Sequence, residues 1–78
     1  MSRIKNIIAY HILTYREDAK KCTQKDSELI NEAQKLHYTD WDKAATLEQE
    51  AESDYAKRIL HDIRVYLYHI DEGASGLL

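Results

Sequence analysis

The chain has 78 residues, with 11 basic and 14 acidic side chains, a formal net charge of −3, one cysteine and no proline. A chain this short holds one domain whose core is near the lower limit of self-sufficiency, so burial against a partner is expected to supply part of its stability. A single cysteine excludes an internal disulfide, no stretch is long and apolar enough to cross a membrane, and the acidic balance disfavours non-specific nucleic-acid binding. The expected setting is cytoplasmic, with no membrane partner.

Both glycines fall in the last six residues, so residues 1 to 72 lack the usual punctuation of turns and strands. Helix is therefore the default, and the expected class is all-α. Arg3 and Lys5 flank an apolar run from Ile4 to Leu13 that polar residues interrupt, and no small-residue cleavage site follows it. A signal peptide is not expected.

The first helical segment is expected to begin near Ser2. Met1, Ile8, Tyr15, Cys22, Leu29 and Leu36 recur every seventh position, and Ile4, His11, Ile12, Ala19, Asp26, Ile30 and Ala33 flank them on the same face. Such a register is that of a helix packed lengthwise on another, as in a coiled coil. Apolar content falls across Lys20 to Ser27, where Asp26 or Ser27 would cap a fresh helix. The absence of glycine and proline there favours a continuous or gently kinked helix instead.

The clearest internal break is Tyr38 to Asp42, where Thr39 and Asp42 have the spacing of a capping box. From about Asp40 a last helix of some 33 residues is expected to run to Glu72, with Gly73 as its left-handed cap. Residues 73–78 are expected to form a flexible tail. The expected architecture is a single helical domain over 1–72: a long antiparallel hairpin, or a three-helix variant broken near 22–27, associating into a helical bundle.

Within the last helix, Ala56, Ile59, Leu60, Ile63, Tyr66, Leu67 and Ile70 form one broad stripe at 100° per residue. Val65 and Tyr68 fall on its far side, with nothing expected to cover them. Continued toward the N-terminus, the stripe meets Glu52 and Glu48. Either Glu52 faces Lys25 across the hairpin, or the stripe drifts to Ala44, Leu47, Ala51 and Tyr55 and leaves both glutamates in water. The drift is preferred.

No chemistry is legible. None of the four histidines follows a glutamate by three residues, and no two are four apart, so neither the di-iron nor the zinc-protease helix pattern is present. The hairpin register would bring His69 to within one turn of His11 and Cys22 to Tyr55, which makes no metal set. No catalytic residue, metal site or cofactor is expected. Six tyrosines and no phenylalanine suit partly wet interfaces.

Charge is unevenly spread: residues 1 to 25 balance at +4, 26 to 54 at −7, and 55 to 78 at zero. The expected function is that of a small non-enzymatic regulator, adaptor or inhibitor, of the kind a phage or mobile element encodes. It would act by protein contact, with a partner or as a homodimer, through Val65, Tyr68, Tyr10, Glu48 and Glu52. The alternatives are a dimeric bundle that binds nucleic acid through the basic first helix, or an acidic mimic of nucleic acid.

Overall fold

A computed structural model describes residues 3–71. The expected helix start near Ser2, the Gly73 cap and the tail 73–78 lie outside the described residues. The described chain is all-α: α1 (Arg3–Thr14), α2 (Arg16–Ala19), α3 (Gln24–Ala33), a 3-10 turn (Tyr38–Asp40), α4 (Trp41–Glu50) and α5 (Asp54–Asp71). These helices pack on one another, with α5 in contact with α1, α3, α4 and the 3-10 turn.

The long hairpin does not form. A 33-residue helix would measure about 50 Å, yet the longest extent of the molecule is 35 Å. The expected last helix is broken at residues 51–53, where Ala51 turns to extended backbone at φ −63°, ψ 143°. Ser53 then opens α5 by accepting the backbone N–H of Ala56 at 3.2 Å, the bond that a serine N-cap provides. The break lets α4 fold back along α5.

The first segment is divided too. Tyr15 leaves the helical region at φ −120°, ψ 52°, and the kink holds its ring stacked on His11 at 5.7 Å and beneath the Arg58 guanidinium. Beyond α2 the chain breaks at 20–23, as in the three-helix variant, but the cap is Thr23 rather than Asp26 or Ser27. Thr23 Oγ1 accepts the backbone N–H of Asp26 at 3.1 Å, and the Asp26 carboxylate accepts that of Thr23 at 3.5 Å, which makes a capping box with aspartate in the glutamate position. The second break likewise falls earlier than expected. His37, not Thr39, donates its backbone N–H to Asp40 at 3.0 Å.

The predicted stripe of α5 is the centre of the core. Ala56, Ile59, Leu60 and Ile63 are fully buried, and Ile4 and Ile8 of α1, Leu29, Ile30 and Ala33 of α3, and Ala44 of α4 close round them. Ala44, Ala51 and Tyr55 are buried and Leu47 half-buried, as the drift of the stripe requires. The seven-residue register survives in burial although not in one helix: Ile8 and Leu29 are buried and Tyr15, Cys22 and Leu36 half-buried, on different segments. Ile12, expected on the inward face, is instead 46% exposed.

Candidate contact surfaces

Three polar features hold the helices in place. Asp26, on the first turn of α3, is completely buried. One of its oxygens accepts the backbone N–H of Glu52 at 2.7 Å and the other that of Ser53 at 3.2 Å. Asp26 therefore ties the start of α3 to the α4–α5 link and satisfies two N–H groups that the break leaves without helical partners. Burial by itself pushes this carboxyl up, but the N–H of Glu52, the side chain of Ser53 and the N–H groups of Thr23 and Ser53 together hold it below the ordinary carboxylate range. Beside it, the Thr23 hydroxyl donates to Glu52 Oε1 at 2.7 Å. That bond takes the place of the Lys25–Glu52 pair considered above, and Glu52 is exposed.

His11 is the second. It is buried on α1, and its Nε2 lies 2.6 Å from Asp62 Oδ2 of α5. A carboxylate acceptor places the imidazole hydrogen on Nε2 in the neutral ring and leaves Nδ1 a bare acceptor. Nδ1 is buried with no hydrogen-bond partner among the described residues. Tyr10 lies edge-on to the same ring at 5.5 Å. An open groove of about 620 Å³ runs past Tyr10, His11 and Tyr15 to Glu48, Arg58 and His61. A His–Asp pair resembles part of a catalytic triad, but its outer nitrogen touches no hydroxyl or thiol. Cys22 borders a different groove and lies 3.9 Å from Ser27 Oγ.

The third is Glu48, which is half-buried on α4. Its Oε1 accepts from Arg64 Nε at 3.1 Å and lies 3.5 Å from His61 Nδ1. Glu48 therefore holds α4 to α5 rather than standing free in water. No cluster of three or more metal-ligating side chains occurs among the described residues. His69 packs against the ring of its neighbour Tyr68, while His11 takes Asp62 as its partner. The expected approach of Cys22 to Tyr55 does occur, since the two line one groove. Burial pushes the Cys22 thiol up, as does the Asp26 charge, against the opposing effect of Ser27.

The five residues expected to meet a partner do not make one patch. Tyr68 is 41% exposed, but its ring stands edge-on to Trp41 of α4 at 5.1 Å. Val65 is half-buried. The back-folded α4 thus covers much of what a hairpin would have left bare. Tyr10 and Glu48 border the His11 groove, and Glu52 sits on the α4–α5 link. The barest apolar surface is elsewhere, at the end of α1, where Tyr10 and Leu13 are 61% and 65% exposed beside Ile12. The signal for it is in the sequence: on the α1 wheel Ala9 and Leu13 lie opposite Ile4 and His11, with Ile12 and Tyr10 on either flank, so the helix carries apolar residues nearly all round.

No helix among the described residues is long and apolar enough to cross a membrane. No family model, no curated protein and no solved structure matches the chain.

Proposed function

We propose that this protein is a small non-enzymatic helical regulator, adaptor or inhibitor that acts by protein contact, needs no cofactor, and uses the outer face of α1 as its principal surface. The observation that carries the reading is the exposure of Tyr10, Ile12 and Leu13 together on one helix end, while the core around α5 is closed by the chain's own helices. Single exposed apolar residues need no explanation, but three large ones crowded on one helix end, on a small domain whose core is otherwise closed, favour a contact site there. The partner is another protein or a second copy of this chain.

Nucleic-acid binding is the second reading, and it is favoured by one fact. Arg3, Lys5, Arg16, Lys20, Lys21 and Lys25 are all exposed on the N-terminal third. Recovery of bound molecules on the tagged protein from its native cells separates the two. Leu13→Asp is expected to lose protein partners, whereas Lys20→Glu with Lys21→Glu keeps them. Loss of bound nucleic acid in the double charge reversal, with protein recovery unaffected by Leu13→Asp, would replace the first reading by the second.

A further inference from the structure

Between α1 and α3 lies a trough of about 330 Å³ walled by Ile8, Ile12, Ala19, Cys22, Ile30 and Tyr55. It is open to solvent along Ile12, which is 46% exposed, so it is a surface trough rather than an enclosed cavity. Its α3 side carries Asn31 and Gln34, which are polar and uncharged. This is the relief into which an amphipathic helix lays anchors spaced i, i+3/i+4 and i+7.

The charges of the segments that flank it choose the occupant. α1 contains no acidic residue, and Lys5, Arg16 and Lys20 are exposed along the α1–α2 side. Glu17 meets Lys20 only through an exposed contact of 3.7 Å, which leaves that charge largely available. From Arg3 to Lys35, which takes in both walls, the exposed side chains are seven basic (Arg3, Lys5, Arg16, Lys20, Lys21, Lys25 and Lys35) against four acidic (Glu17, Asp18, Glu28 and Glu32), so the balance stays basic. An acidic occupant is attracted and a basic one repelled. The chain's own acidic helix does not fit, because the exposed residues of α4 are Asp42, Lys43, Thr46, Gln49 and Glu50, none of which fills an apolar trough. Resting on the contact reading above, we infer that the trough between α1 and α3 receives an amphipathic helix of a partner protein, apolar on one face and rich in glutamate or aspartate on the other.

The test uses the full chain and three labelled synthetic peptides: an amphipathic helix with leucines at i, i+3/i+4 and i+7 and a glutamate polar face, the same peptide with lysine in place of glutamate, and the glutamate peptide scrambled. Fluorescence anisotropy reads binding, and the rate of Cys22 alkylation by iodoacetamide reads whether the occupant lies in the trough that this thiol borders. The glutamate helix is expected to bind at least tenfold more tightly than either control, more weakly as salt rises, and to slow Cys22 alkylation fivefold or more. Ile12→Asp, at a half-exposed position and with its fold checked by circular dichroism, is expected to weaken binding tenfold. Lys5→Glu with Lys20→Glu is expected to weaken it and flatten the salt dependence. Equal binding of the three peptides, no binding of any, or an unchanged alkylation rate would overturn the inference. If the glutamate helix fails while Leu13→Asp still strips protein partners from the tagged chain, the inference falls and the contact reading stands. If Leu13→Asp strips none, the contact reading falls as well.

Discussion

Asp26 offers the sharpest test of how the fold is held. Its carboxylate accepts backbone N–H groups from Glu52 at 2.7 Å and Ser53 at 3.2 Å, with a longer one from Thr23 at 3.5 Å. A hydrogen bond to a charged group contributes about 1.5 to 3 kcal/mol, and buried donors left without a partner add a penalty, so Asp26→Ala should cost about 3 to 5 kcal/mol. The domain as a whole has about 4 to 12 kcal/mol to lose at roughly 0.05 to 0.15 kcal/mol per residue. Asp26→Asn keeps one acceptor but turns its amide toward N–H donors, and is expected to cost about 1.5 to 3 kcal/mol.

The pH dependence follows from the lowered carboxyl. The folded state keeps Asp26 ionised to lower pH than the unfolded chain does, so the stabilisation is complete above the ordinary aspartate value of about 3.9 and is lost as pH falls through the folded value. Urea unfolding followed by circular dichroism at pH 7 and near pH 3 tests both points. The gap between wild type and Asp26→Asn should be wide at pH 7 and narrow toward pH 3. An Asp26→Asn protein as stable as wild type at pH 7, or a gap that does not narrow, would refute the reasoning.

Ile59→Ala, at a fully buried position of α5, should cost about 2 to 5 kcal/mol in the same assay. Asp62→Ala removes the partner of buried His11 Nε2 and should cost about 1 to 3 kcal/mol, mostly because that nitrogen is left unpaired. Arg64→Ala breaks a partly exposed pair with Glu48, so unfolding should move by no more than about 1 kcal/mol, with the difference shrinking at high salt. Because burial pushes the Cys22 thiol up, iodoacetamide should modify it more slowly at pH 8 in the native protein than in urea, since the thiolate is the reacting form. Equal rates in the two states would contradict the placement of that side chain.

Helical class and the identity of the core were legible in the sequence, because Ile59, Leu60 and Ile63 recur at helical spacing with no glycine or proline to interrupt them. The chain breaks were harder to see. Apart from the kink at Tyr15, which has no side-chain cap, each is made by a polar side chain that competes for backbone groups rather than by a residue that forbids helix: Thr23 with Asp26, Asp40 with His37, and Asp26 with Ser53 across 27 positions. The first two are local and leave a spacing signature. The third is long-range and leaves only an acid on an otherwise apolar stripe, which is itself a mark of a buried polar role. The exposure of the far side of α5 was hard to read for the same reason. Without the break at 51–53, α4 extends α5 instead of covering it, and Val65 and Tyr68 stay bare. With the break, Val65 is half-buried, Tyr68 packs on Trp41, and the most exposed apolar side chains are Tyr10 and Leu13 of α1.

The account stands on the outer face of α1 as the contact surface. A photo-crosslinking amino acid at Leu13, with controls at Tyr68 and at Lys43 on α4, tests it most directly in native cells. The account predicts discrete protein adducts from position 13 that greatly outnumber those from position 43, and that disappear when Ile12→Asp is added. Adducts confined to position 68, or position 13 adducts made only with nucleic acid, would contradict it.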